Sequence, residues 1–271
     1  MSPEQLFELY THYYPRSSFN VEDFRPYHEV AGIRAWLNGV YRSAFRWVPR
    51  NVRVLDIGCG FGETLGYHAE RGCDVYGVEA DENIRRISDI YGFRVHVGLF
   101  DPDSYPRDFF DYVTMDQVIE HMSDPVETLQ GVARVLKPGG VAVLSTPNAD
   151  GWGARRFGSR WLHWHVPYHL HHFSVRSMGL TAERAGLHVK LHKVITSSDW
   201  LHWQWIHLLM YPDPGYPSVF WAHKGKLPIY KAMLLYILTL LNFLKINHII
   251  TRILDQCKVG DNLLYFLVKP D

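Results

Sequence analysis

Val54-Leu55-Asp56-Ile57-Gly58-Cys59-Gly60-Phe61-Gly62 is an apolar strand running straight into a glycine-rich turn. Glycines at three alternate positions let the backbone turn sharply and approach a ligand closely, where any Cβ would obstruct it. Asp56 falls at the strand end and sets a carboxylate beside that opening. The nearest alternative is a nicotinamide or flavin dinucleotide fold, whose fingerprint is Gly-x-Gly-x-x-Gly after a strand. Gly58 and Gly60 fit that spacing, but its third glycine falls on Glu63. A carboxylate opening the next helix would repel the pyrophosphate that helix N-termini otherwise attract. A cofactor without a pyrophosphate suits the turn better.

Outward from the turn, short apolar runs alternate with helical patterns, which predicts a largely parallel sheet covered by helices. Strands are expected at Arg53–Ile57, Asp74–Val78, Arg94–Gly98, Phe110–Met115, Gly140–Ser145, His188–Thr196 and Asn262–Val268. Helices are expected near Gly62–Arg71, Glu82–Tyr91, Pro125–Leu136 and Val175–Ala185. Asp124 and Ser174 are in position to cap the last two, and Lys137-Pro138-Gly139-Gly140 reads as a helix stop and turn. An earlier helical segment, about Val30–Trp47, is placed to cover the cleft.

Asp56-Ile57-Gly58-Cys59-Gly60-Phe61-Gly62 resembles the first motif of class I S-adenosylmethionine-dependent methyltransferases. The resemblance extends along the chain. Val75-Tyr76-Gly77-Val78-Glu79-Ala80-Asp81 ends a second strand in an acid, suited to both ribose hydroxyls. Val97-Gly98-Leu99-Phe100-Asp101 ends a third, and by resemblance Phe100 lines the adenine slot while Asp101 receives the exocyclic amine. Met115-Asp116-Gln117-Val118-Ile119-Glu120-His121-Met122-Ser123-Asp124-Pro125 is similar to the hydrophobic-Glu-His-x-x-Asp-Pro segment of small-molecule methyltransferases. There the segment passes beneath the cofactor and its histidine faces the methyl-transfer cleft. The resemblance is specific from about Val52 to Pro147 and looser to Gly186.

It implies an α/β fold with a Rossmann-like seven-stranded sheet, mostly parallel with the last strand antiparallel, flanked by helices. It also implies S-adenosylmethionine as cofactor and S-adenosylhomocysteine as product. The cofactor-binding set is Asp56, Gly58, Cys59, Gly60, Gly62, Glu79, Ala80, Phe100, Asp101 and Gln117. The expected organisation is a helical cover over 1–48, a cofactor-binding core over 49–197 plus 261–271, and an aromatic helical insertion over 198–260.

Five histidines stand between His163 and His172, among Trp161, Trp164 and Pro167. No carboxylate follows them closely, so a metal site is not expected. Pro167-x-His169-Leu170-x-x-Phe173-Ser174 resembles the stretch before a helix in a bacterial subfamily acting on small or lipid-linked molecules, where the histidines line or brace the acceptor pocket. For a hydroxyl acceptor, a base must take the proton as the new bond forms, and histidine serves near neutral pH. His121 is the first candidate, and His169 and His172 are the alternatives.

The insertion is aromatic in its first half, with Trp200, Trp203, Trp205, Tyr211, Tyr216, Phe220 and Trp221, and nearly all apolar over Ile229–Leu254. Its charge-free stretch between Lys231 and Lys245 would rise only about 20 Å, too short for a hydrocarbon core of roughly 30 Å. A buried packing or dimerisation element, a lid over a greasy acceptor, and a membrane-surface contact all remain open. Lys224, Lys226, Lys231, Lys245, Arg252 and Lys258 outnumber Asp213 and Asp255, which favours an anionic surface.

With 28 Lys plus Arg against 28 Asp plus Glu, the 271-residue chain is balanced, which disfavours a nucleic-acid partner. Asp116-Gln117-Val118-Ile119 also stands where nucleic-acid methyltransferases carry Asn/Asp-Pro-Pro-aromatic. Cys59, Cys73 and Cys257 have no metal-type spacing and are too few for a disulfide framework. The polar start, with Glu4, Glu8 and His12, has no apolar signal-peptide core, so the cytoplasm is expected, with peripheral contact to the inner membrane face left open. The expected function is methyl transfer to a small-molecule or lipid-linked acceptor, most simply a hydroxyl. A non-catalytic cofactor- and partner-binding protein and an RNA methyltransferase are the alternatives.

Overall fold

The computed structural model of the protein describes Gln5, Glu8 and residues 21–212 and 228–271. Glu4, His12, Asp213, Tyr216, Phe220, Trp221, Lys224 and Lys226 lie outside the described residues.

Seven strands form: β1 (Arg53–Ile57), β2 (Asp74–Glu79), β3 (Arg94–Val97), β4 (Phe110–Asp116), β5 (Leu136–Pro147), β6 (His188–Val194) and β7 (Asn262–Val268). They make one sheet in the order β3-β2-β1-β4-β5-β7-β6. β7 runs antiparallel to both β5 and β6, while the other pairs are parallel. This is the Rossmann-like sheet that the motif succession implies.

The helices are α1 (Gly32–Asn38), α2 (Glu63–Ala69), α3 (Arg85–Tyr91), α4 (Pro125–Val135), α5 (Trp152–Phe157), α6 (Val175–Arg184), α7 (Ser198–Leu209), α8 (Ile229–Phe243) and α9 (Ile246–Gln256). Successive strand residues point to opposite faces, and both faces of this sheet are covered. Val113 and Met115 of β4 pack with Leu129, Val132 and Val135 of α4. Tyr112, one residue out of phase, packs with Ala44, Val143 and Leu264 on the other side.

Local chemistry starts the helices where the sequence indicates. The Asp124 carboxylate accepts from the backbone N–H of Val126 and Glu127, each at 2.9 Å, and Pro125 occupies the first helical turn. Ser174 and Ser177 form a reciprocal capping box at α6.

Two local expectations differ. β5 begins at Leu136, which pairs with Phe110 of β4, and Gly139 and Gly140 then pair with the chain at Lys269 instead of making a free turn. The segment expected as one helix over Val30–Trp47 breaks at Gly39 (φ 69°), leaving α1 and two 3-10 turns, Val40–Arg42 and Ala44–Trp47. Ala44 is buried against the sheet, and Phe45 stacks on Tyr27 and meets Tyr67 of α2.

Candidate active site

A cavity of about 340 Å³ opens at the C-terminal ends of β1, β2, β3 and β4. The chain leaves β1 for β2 on one side and pairs β1 with β4 on the other, so the strand order reverses there. That switch point is where open α/β sheets bind ligands. The walls come from each strand exit: Gly58, Gly60 and Phe61; Glu79 and Ala80; Leu99 and Phe100; Asp116, Gln117, His121 and Met122.

The glycines are required by geometry. Gly58 has φ 76°, and a Cβ there would lie 2.5 Å from Val118 Cγ2. Gly60 has φ 58°, and a Cβ there meets nothing within 4 Å, so it would stand in cavity space. The Glu79 carboxylate accepts from the backbone N–H of Gly60 at 3.0 Å and of Asp81 at 2.9 Å, pinning the turn to the end of β2. Phe100 is held from behind by α4 at Gly131, where a Cβ would come within 3.1 Å of its ring. Gln117 has φ 59°, a left-handed conformation in which its amide donates to Ser145 Oγ and Asn262 Oδ1. Such backbone, unusual outside glycine, is often found at functional sites.

Of the ten positions expected to hold the cofactor, Gly58, Gly60, Glu79, Ala80, Phe100 and Gln117 line the cavity. Asp56, Cys59, Gly62 and Asp101 do not. Asp56 is buried and accepts hydrogen bonds from Thr64 and, at 2.6 Å, from Thr114. Burial pushes its carboxyl up to about 7, against the opposing effect of those hydrogen bonds. Cys59 points away into the small cluster of Phe24, Leu65, Ile84 and Ile87. Gly62 starts α2 with φ 92° and faces Ile84 and Phe93. Asp101 is turned outward as the cap of the Pro102–Ser104 turn, accepting from the Asp103 N–H and Ser104 hydroxyl. Asp116, Phe61, Leu99 and Met122 are cavity residues the motif reading passed over. Asp116 obeys the same rule as Glu79, an acid at a parallel strand end, and that rule could have found it.

Among the three histidines considered as base, only His121 reaches the cavity wall. Its Nδ1 lies 2.9 Å from the Tyr168 carbonyl oxygen. Burial pushes the ring down to about 4, opposed by hydrogen bonding to the Tyr168 and Gln117 backbone. His169 packs edge-on against it at 4.6 Å between ring centres and is pushed down to about 2, first by burial. His172 lies further back, against Trp164.

Glu120 adds what the histidine run lacks. It is buried, its Oε2 accepts from Thr146 Oγ1 at 3.0 Å, and its Oε1 has no hydrogen-bond partner among the described residues. Burial pushes this carboxyl up to about 8. Glu120, His121 and His169 bring ligand atoms within 4.8 Å of one another, a donor set that could hold a metal ion. The expectation of no metal rested on the missing nearby carboxylate, and that carboxylate comes from the exit of β4.

The fold and the site define a class I S-adenosylmethionine-dependent methyltransferase. Residues 24–192 match the family described as "Methyltransferase domain", and the chain belongs to it. Among curated relatives, the "Ubiquinone biosynthesis O-methyltransferase" of Paracidovorax citrulli (strain AAC00-1) is 30% identical over 141 residues, covering 47% of this chain and 55% of that protein. The chain thus spans about half the length of the curated relatives it matches. Phosphoethanolamine N-methyltransferase 2 of Haemonchus contortus, solved with S-adenosyl-L-methionine, shares the fold at TM-score 0.53 and 19% identity, over 89% of this chain and 53% of that one. The [4+2]-cyclase SpnF shares it equally, at TM-score 0.53 and 18% identity, over 88% and 80%.

The residues fit the family's cofactor. Gly60 leaves room that any side chain would fill, Glu79 offers a carboxylate at the end of β2, and Phe100 supplies an aromatic wall.

Proposed function

We propose that the chain methylates a hydroxyl of a small-molecule acceptor, with His121 taking the hydroxyl proton. When bound, S-adenosylmethionine supplies an electrophilic methyl on a sulfonium and leaves as neutral S-adenosylhomocysteine. Glu79 and the Gly58–Gly60 backbone orient that group, and Phe61, Leu99, Val118 and Met122 keep the cleft dry. Held there, the cofactor would supply its methyl for in-line displacement by the acceptor oxygen, and His121 would take the O–H proton.

The observation that carries this reading is a cavity-wall histidine kept neutral by burial, with the Tyr168 and Gln117 backbone on hand to stabilise the imidazolium that forms. The O-methyltransferase names of the matched relatives support a hydroxyl over an amine. His121→Ala should lower kcat about 100-fold while leaving the calorimetric affinity for S-adenosylhomocysteine unchanged. Equal loss of both would remove the base role and leave His121 as a wall of the cofactor cleft.

A second reading is favoured by the Glu120, His121 and His169 donor set, in which a divalent cation polarises the acceptor hydroxyl. Dialysis against a chelator separates the two. Full retained turnover supports the histidine base, and loss restored by added cation supports the metal.

A further inference from the structure

Half of the large hydrophobic side chains exposed in the described residues fall between Ile229 and Ile253. No residue of α8 is buried. It touches the rest of the protein through one stripe, Lys231, Leu235, Leu238, Leu241 and Asn242. The remaining positions are exposed, over an arc of roughly 220° at 100° per residue. Apart from Tyr230 and Tyr236, Thr239 is the one polar residue in that arc, and its hydroxyl donates to the Leu235 carbonyl at 2.8 Å within the helix.

α9 is arranged the opposite way to a helix of a water-soluble surface. Its polar side chains, Asn247, His248, Thr251, Arg252 and Asp255, are turned inward and buried. Ile246, Ile249, Ile250 and Ile253 face out. The inward groups have work there: Arg252 donates to the Trp36 and Thr196 carbonyls and pairs with Asp255 at 3.0 Å.

We propose that α8 and the outer face of α9 insert into one leaflet of an anionic phospholipid membrane. A partner helix covers a stripe of about 100°, far less than the arc α8 exposes, whereas fluid hydrocarbon covers all of it. Residues 229–254 contain no acid, and Lys245, exposed between the two helices, is complementary to negative headgroups. Tyr230 and Tyr236, both exposed, suit the headgroup level. No single helix among the described residues is long and apolar enough to cross a membrane, and three features disfavour spanning by the pair. α8 is roughly 22 Å long at 1.5 Å per residue, the pair bends by 64°, and α9 is clamped to the protein and leads back into β7. Insertion needs no particular acceptor and stands apart from the proposed chemistry.

The test is flotation of the purified chain with vesicles of phosphatidylglycerol and phosphatidylethanolamine. Wild-type protein is expected to float, and the double variant Ile237→Glu/Phe243→Glu to lose at least ten-fold in partitioning. Ile90→Glu, at an exposed apolar position on α3, is expected to float like wild type. Thermal unfolding and S-adenosylhomocysteine titration of all three should coincide, showing intact folding. Wild type that stays with the lipid-free fraction, a double variant that floats normally, or equal loss in Ile90→Glu would overturn the proposal. So would a stable dimer in lipid-free sedimentation that the double variant splits, because a second copy would then be the occupant.

Discussion

At the scale of single residues, the two central glycines of the turn meet different constraints. A side chain at Gly58 strikes Val118, part of the β4 exit that forms the cavity floor, and the fold itself resists it. A side chain at Gly60 strikes nothing and enters the cavity. Gly58→Ala should therefore lower the urea midpoint clearly. Gly60→Val should bear only the backbone strain of about 1–3 kcal/mol for a left-handed non-glycine while losing S-adenosylhomocysteine binding in calorimetry. Loss of binding in Gly58→Ala at unchanged stability would contradict that division. Residue identity showed that both must be glycine, but the different reasons depend on Val118, distant in sequence. The same holds for Asp56 and Asp101. Both acids stand at strand ends, as expected, yet Thr64 and Thr114 hold one beneath the turn and the Pro102–Ser104 turn holds the other outside. A carboxylate's place along the chain does not decide which donors reach it first.

At the scale of elements, a buried ion pair helps tie α9 to the rest of the fold. Arg252 and Asp255 join α9 to the end of β6 at Thr196 and to α1 at Trp36, with Asp255 accepting from both the Thr196 N–H and its hydroxyl. Burial pushes the Asp255 carboxyl up to about 6 despite the opposing pull of Arg252. Removing the guanidinium leaves that acid buried without its counter-charge. Arg252→Ala should cost about 3–5 kcal/mol in denaturant unfolding, and a cost below 1 kcal/mol would show that the site relaxes open to water. None of this was legible in composition, where Arg252 simply joined a count of cations. Strand and helix positions were legible, because short apolar runs and the Asp124 and Ser174 caps are local. The break at Gly39 was not, since it answers to the Thr196 carbonyl across the fold.

At the scale of the whole molecule, the buried acid behind the cleft should appear in the pH dependence of global unfolding. Burial holds the Glu120 carboxyl up at about 8 in the native state, against an ordinary glutamate value of 4.5. The unfolded chain releases this proton first, so the native state loses stability as pH rises from about 4.5 to about 8. Glu120→Gln removes that one-proton slope. Its stability relative to wild type should grow between pH 5 and pH 8 in urea melts, and a constant difference would show that Glu120 ionises normally. Turnover should be level through the same range, because His121, pushed to about 4, stays neutral there.

The methyltransferase sheet and the turn that shapes the cleft were legible in the chain itself, because short apolar runs, glycine spacing and helix caps act over a few residues. Tertiary structure alone decided which acids face the cavity, that Glu120 joins His121 and His169, and that α8 and α9 turn their apolar sides outward. Those outcomes depend on which distant groups compete for each side chain, and local spacing carries no information about that competition.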